Sequence, residues 1–481
     1  MRKSGILMPV SSLPSNHGIG DFGENAYEFV RLIKKSGFKI WQILPLNALG
    51  YGNSPYQPYS SKAMDELYIS LDLLVKNGLL EEVEVFQKDS DVVDYDAVRE
   101  FKRKYLIQAF QKFERNQEFE DFSKLEWVHH YAMFITFKKL NGMKCWNEWS
   151  SEYKNYFKNK LVEVDEESIN YEIFIQFILL KQWKALRSYV NQLDIEIMGD
   201  MPFYVGLDSD DVWIHQEDFL LDEKGVPAVV AGVPPDYFSE DGQRWGNPIY
   251  NWEKLEKDGF AFWLDRLDYS SKLFDVVRID HFRAFDTYWQ IKGECPTARE
   301  GEWLEAPGHK VFETIYKTYP DIKIVAEDLG EMREEVYELR DAFNLKGMRI
   351  IQYSWHLPKM KKDRNNLIIY TGTHDNEPIR SWYNNLSKED KLLSRKYFRR
   401  HNLKQAIIAD SFIQYALESN ADIAIISMVD ILNKKIDCRL NTPGTVGNPN
   451  WQWRLNDFSE FKKRVHKLQR MIKESNRYNK A

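Results

Sequence analysis

The chain has 481 residues, 43% of them hydrophobic, enough to bury a large core; at ~150 residues per domain this is about three domains, or one barrel with insertions. Lysine and arginine total 66 against 73 aspartate and glutamate, a net charge of -7, which argues against a chain built to neutralise phosphate backbones, so nucleic acid is not an expected partner. Three dispersed cysteines, Cys145, Cys295 and Cys438, form neither a disulfide framework nor a CxxC metal pair and read as reduced, buried thiols.

In chain order, the first apolar run, Gly5–Val10, is shorter than a signal-peptide core and turns polar at Ser11. No stretch approaches the ~18 consecutive apolar residues of a membrane span. A soluble, cytoplasmic protein without membrane association is expected. The same run is the first of eight short, β-branched-rich segments. The others are Phe38–Pro45, Ile195–Met201, Phe274–Asp280, Ile322–Glu327, Met348–Tyr353, Leu367–Thr371 and Ile423–Met428. Near-continuous apolar runs of this length suit strands buried on both faces. Helical periodicity separates several of them, as in Asn25–Ser36 and Met332–Phe343. Strand followed by helix, repeated about eight times, predicts an α/β fold, a (β/α)8 TIM barrel; periodicity alone leaves an open doubly wound sheet as the alternative.

The uneven spacing of the strands places the insertions. Residues 46–194 carry amphipathic patterns such as Val98–Arg115 and Ile173–Leu193 and are expected to form a helical subdomain after the second strand. A second insertion, 202–271, follows the third strand and includes the Gly/Pro/aromatic stretch 232–250, read as a long functional loop. Near the C-terminus Phe458–Ile472 has helical spacing, and its many lysines and arginines read as a solvated face. Aromatic residues make up 14% of the chain; such rings stack on sugar C–H faces but also fill cores, so composition alone selects no ligand.

Three acids stand at the C-terminal ends of predicted strands, where barrel active sites are built. Asp280 ends FDVVRID, Glu327 ends IKIVAE, and Asp375 follows LIIYTGTH. Any one of them could be a loop cap or an ion-pair partner. Together, with Arg278 two residues before the first and His374 beside the third, they suit glycosidic-bond chemistry. A retaining mechanism needs an ionised carboxylate to attack the anomeric carbon and a protonated one to donate to the leaving oxygen. Asp280 is expected to be the nucleophile, kept ionised by Arg278. Glu327 is expected to be the acid, its pKa raised by burial and the neighbouring charge, with Asp375 and His374 holding sugar hydroxyls.

At these residues the sequence resembles a known family. RIDHFRAF (Arg278–Phe285), VAEDLG (Val325–Gly330) and THDN (Thr373–Asn376) are similar to the strand-end motifs of the 4-α-glucanotransferases, the amylomaltase or disproportionating-enzyme family related to α-amylases. The resemblance extends through Gly5–Gly23, Tyr51–Ser60, Gly199–Trp213, 232–250 and Arg439–Leu455, nearly the whole chain. It implies that Asp280, Glu327 and Asp375 are nucleophile, acid/base and transition-state stabiliser. It also implies glucan contacts at Ser54, Tyr56, Asp200, Arg278, Asp236, Gln243, Trp245, Tyr353, His374 and Asn450, with Tyr237 and Phe238 at the tip of a loop over the acceptor sites. Tyr51 resembles part of a secondary glucan groove. The expected partners are α-1,4-glucans and maltooligosaccharides, and the chemistry requires no metal or organic cofactor. The chain departs from the usual motifs at Ala63–Glu66, Lys346–Gly347, Glu377 and Cys438–Leu440, none of which removes a catalytic group.

Two other classes remain open to the sequence. A metal-dependent barrel hydrolase would use Asp280, His281, Glu327, His374 and Asp375 as ligands. Such barrels often carry a His-X-His pair after the first strand, where this chain has Ser11–Pro14. A non-catalytic glucan-binding protein would require the acids to be absent or displaced.

Overall fold

Among the described residues there are twelve strands: β1 (Lys3–Leu7), β2 (Ile40–Gln42), β3 (Glu196–Met201), β4 (Val229–Val233), β5 (Gln243–Pro248), β6 (Val276–Ile279), β7 (Thr287–Lys292), β8 (Glu302–Glu305), β9 (Ile324–Ala326), β10 (Gly347–Ile350), β11 (Leu367–Tyr370) and β12 (Ile423–Ser427). The structure, a computed structural model, describes residues 2–160, 162–235, 239–355 and 365–478. Eight strands run parallel in the order β10-β11-β12-β1-β2-β3-β6-β9. A parallel bridge between Val325 and Lys346 joins the two ends of this sheet into a (β/α)8 barrel. Each of the eight apolar runs contributes one of these strands.

Their apolar character follows from burial on both faces. Successive side chains of a strand point to opposite sides, so each barrel strand serves two cores. Leu7, Ile40, Met198, Val276, Val325, Ile368 and Ile425 meet inside the barrel. Their neighbours Ile6, Trp41, Ile197, Val277, Ile324, Ile369 and Ala424 belong to the larger core between sheet and helices. Close packing leaves little slack: a Cβ on Gly199 would lie 2.2 Å from a ring carbon of Phe274.

The helices begin where caps dictate rather than where apolar periodicity begins. Helix Tyr95–Lys112 starts at Asp94, whose carboxylate accepts from Ala97 N–H at 3.1 Å. Helix Glu166–Gln192 starts at Asp165, which accepts from Glu167 N–H. With Glu126–Leu140, which packs on Glu166–Gln192, they lie between β2 and β3. The terminal helix Ser459–Glu474 buries Phe461, Val465, Leu468, Met471 and Ile472 and packs on Glu24–Ser36. Its basic residues are not all solvated. Arg464 and Lys467 converge on Asp410, whose buried carboxylate has to be paired, and Lys467 approaches it at 2.6 Å.

The stretch 232–250 is not wholly a loop. Its ends form part of a four-stranded antiparallel sheet, β5-β4-β7-β8. The segment QRWGNP lacks strand-like composition. It is held by pairing with β4, where Val233 faces Gln243 and Val230 faces Pro248. Among the described residues no helix is long and apolar enough to cross a membrane. The three thiols are free; Cys438 is buried, whereas Cys145 and Cys295 are only half-buried.

Candidate active site

The alternation that fills the barrel also aims its polar residues. Two residues beyond Met198, Val276 and Val325 along the same inward faces stand Asp200, Arg278 and Glu327, and Asp280 follows Arg278 by two more. Register aligns them: Asp200 pairs with Arg278, and Ile279 with Ala326. Asp280 and Glu327 therefore leave neighbouring strands side by side. Main-chain bonds extend this alignment past the strand ends, from Asp280 N–H to Met201 carbonyl at 3.0 Å and from Glu327 N–H to Ile279 carbonyl at 3.1 Å.

Arg278 is buried at the centre. One guanidinium nitrogen donates to both oxygens of Asp200, at 2.6 and 2.8 Å, and another reaches Asp280 at 3.0 Å. The arginine is thus fixed beneath Asp280 and stabilises its negative charge. Glu327 accepts His281 N–H at 2.8 Å and Leu329 N–H at 3.1 Å. Desolvation, then the Asp280 charge, nevertheless push its pKa well above the ordinary carboxylate value. His281 is in the left-handed region at φ 52°. Its ring meets Trp245 edge-on at 4.8 Å, with Nε2 buried and without a hydrogen-bond partner among the described residues. Burial lowers its pKa to about 4, so it is a neutral imidazole at pH 7.

Asp375 lies on the loop after β11. Its carboxylate accepts from Asn441 Nδ2 at 2.6 Å and meets His374 Nε2 at 3.2 Å. Burial alone would raise its pKa, but the adjacent His374 and the amide of Asn441 hold it below the ordinary value. Tyr56, from the loop after β2, donates to Asp200 at 2.8 Å and lies 3.2 Å from His374 Nδ1. Asp280, Arg278, Asp200, Tyr56, His374 and Asp375 thus form one unbroken chain of polar contacts.

These groups open into a cleft of about 650 Å³. Ser54, Tyr56, Gln243, Trp245, Asp280, His374 and Asp375 line it. Other expected glucan contacts are placed differently. Asp200 and Arg278 lie under the cleft floor, bonded to each other. The Asn450 amide is used within its own loop, accepting from Thr442 N–H at 3.0 Å and donating to Thr445. Tyr353 is half exposed near Asp375. Asp236, Tyr237 and Phe238 lie outside the described residues. Tyr51 stands 78% exposed at the cleft mouth, and its neighbour Gly52 also borders a second groove of about 1060 Å³. Among the described residues no three His, Cys, Asp or Glu side chains gather as a metal-ion site.

Reading the sequence did not single out Asn441, Arg439 or Trp451. Arg439 donates to the Asp375 carbonyl at 2.6 Å, and Trp451 packs on both Tyr56 and His374. Their signal was the long Gly/Pro/Asn-rich stretch after β12, the same kind of loop that flagged 232–250.

A parallel barrel that brings carboxylates together at the C-terminal ends of its strands is the architecture of enzymes that act on glycosidic bonds through paired acids. Comparison with known proteins narrows that class. The family model for 4-alpha-glucanotransferase matches residues 8–460. The chain belongs to this family. It is 40% identical to the 4-alpha-glucanotransferase of Aquifex aeolicus over 97% of this chain and 98% of that one. It is 38% identical to that of Thermus thermophilus over 94% and 95%. The solved amylomaltase of Streptococcus agalactiae, in complex with acarbose, superposes with a TM-score of 0.92 at 36% identity, covering 100% of both chains.

Proposed function

We propose that the enzyme transfers a segment of an α-1,4-glucan to the 4-hydroxyl of an acceptor glucose or glucan, by retaining double displacement through a covalent glycosyl-Asp280 intermediate. The observation that carries this reading is the placement of Asp280, braced by Arg278, beside the half-buried Glu327 on the next strand. Glu327 gives its proton to the glycosidic oxygen as an Asp280 oxygen attacks the anomeric carbon, and the shortened glucan leaves with that proton. Forming the ester neutralises Asp280. The charge that raised the Glu327 pKa is then gone, so the carboxylate left behind is a competent base. It takes the proton of the incoming 4-hydroxyl while the sugar–Asp280 bond breaks. Asp375 and His374 hold hydroxyls of the distorted sugar.

Preference for sugar over water needs an enclosed acceptor side. Trp245, Tyr204 and His281 supply an aromatic wall there, and in the sequence Tyr237 and Phe238 fall between β4 and β5. This reading runs on maltooligosaccharides in the cytoplasm and routes no step through a metal or organic cofactor. Pure protein incubated with maltotriose tests it. A ladder of longer oligomers with released glucose is expected, and Asp280→Asn should give none. Glucose and maltose alone would overturn the transfer.

A further inference from the structure

Proton counting around Tyr56 reaches beyond the roles of the three acids. Tyr56 has one hydroxyl proton and two neighbours, Asp200 Oδ2 at 2.8 Å and His374 Nδ1 at 3.2 Å. Asp200 takes two contacts from one Arg278 nitrogen, at 2.6 and 2.8 Å; burial raises its pKa, and the guanidinium held against both of its oxygens opposes that rise and favours the carboxylate. The shorter contact and the charged acceptor both direct the Tyr56 proton to Asp200. The Tyr56 oxygen then presents only lone pairs to His374 Nδ1, which has to be a donor. On the other side of the ring Nε2 faces the Asp375 carboxylate at 3.2 Å and has to be a donor as well. Two acceptors on opposite sides of one imidazole require two protons.

We propose that Tyr56 is a positioning residue that keeps His374 doubly protonated, and that loss of this imidazolium, rather than ionisation of Glu327, closes the alkaline side of the activity. The proposal rests on the double-displacement reading above and deepens it. Four groups face the ring from separate elements: Asp375 on its own loop, Asp200 on β3, Arg278 on β6 and Tyr56 after β2. Trp451, uncharged, packs near both rings. The two carboxylates outweigh the one guanidinium. Burial alone would lower the His374 pKa, yet Asp375 beside it holds it above the ordinary histidine value. A neutral His374 would leave the half-buried Asp375 without its adjacent counter-charge. The carboxylate would then be less able to stay ionised and accept sugar hydroxyls in the transition state.

Nitrogen-15 NMR of protein labelled at histidine reads the protonation directly, with His374→Gln assigning the signal. Both ring nitrogens of His374 are expected to be protonated at pH 7 in the wild type; a neutral tautomer there overturns the proposal without need of any variant. Kinetically, Tyr56→Phe removes the acceptor for Nδ1–H, and the alkaline limb of kcat/KM on maltotriose should move down by about one pH unit. An unmoved limb in the folded variant counts against it. An α-maltosyl fluoride donor separates the two acids, because fluoride leaves without a proton from Glu327. The limb should persist with the fluoride, and its disappearance would assign it to Glu327. Activity of Asp280→Asn instead sinks the double-displacement reading and leaves the NMR result for His374 standing on its own.

Discussion

Arg278 and Asp280 stand two residues apart on one strand edge and are joined by a 3.0 Å ion pair, while Asp200 grips the same guanidinium from the neighbouring strand. Serving both carboxylates requires a planar, multi-donor cation. Lysine, with a single compact charge, cannot reproduce the two-sided grip. Arg278→Lys is therefore expected to lower kcat/KM on maltotriose by roughly 10²–10³-fold, about 3–4 kcal/mol of transition-state stabilisation. Asp200→Asn, which frees the guanidinium from its anchor, should lose activity in the same direction. Wild-type rates in either variant would show that Asp280 needs no brace.

Desolvation, and after it the charge of Asp280, push the Glu327 pKa well above the ordinary carboxylate value, which favours the protonated form that an acid needs. That proton matters only when the leaving group needs one. Glu327→Gln should reduce transfer from maltotriose by roughly 10³-fold or more, and the rate of fluoride release from α-maltosyl fluoride far less. Equal losses with both donors would remove Glu327 from the role of acid.

What the sequence revealed and what it concealed divide along physical lines. Barrel strands are buried on both faces, so β6, β9 and β11 announce themselves as apolar runs, and the acids that follow them, Asp280, Glu327 and Asp375, are visible by contrast. Strand β5, QRWGNP, is held by pairing with β4 rather than by its own composition, so nothing local marks it as a strand. Side-chain direction was equally hidden. Asp200 resembles a sugar ligand in sequence, yet the inward alternation of β3 puts it against Arg278, below the cleft. Asn450 is spent on its own loop. Asn441 touches Asp375 across 66 residues of chain, a distance no local motif spans.

At the opposite end of the barrel, Arg477 is buried and surrounded by main-chain carbonyls. It donates to Leu417 at 2.6 Å, Lys3 at 2.7 Å, Ala421 at 2.8 Å and Ser419 at 2.9 Å. Burial lowers its pKa to about 9, which still leaves it charged at pH 7. This arginine ties the entry of β1 to the entry of β12. Arg477→Ala strands several buried carbonyls and should destabilise the fold by about 3–5 kcal/mol. Thermal unfolding should show a clear drop in midpoint, while kcat per folded molecule stays at the wild-type value. A loss of kcat at unchanged stability would contradict a purely structural role.

Asp430, buried just beyond β12, accepts Ile379 N–H at 2.7 Å. Burial raises its pKa to about 6, while hydrogen bonds from Thr371 and Ile379 oppose the rise only in part. Between about pH 4 and pH 6 the folded protein therefore holds a proton that the unfolded chain releases, so stability from this group falls as pH rises through that window. The stabilisation is fully present below about pH 4, and above pH 6 the loss is constant at about 3 kcal/mol. Asn in its place keeps an acceptor for Ile379 and never ionises. Asp430→Asn should thus gain on the wild type steadily from pH 4 to 6 and lead by about 1–2 kcal/mol at pH 7.5, after allowance for the weaker hydrogen bond. Paired urea melts of the two proteins across that range measure the difference, and a gap that does not change with pH would place the ionisation of Asp430 elsewhere.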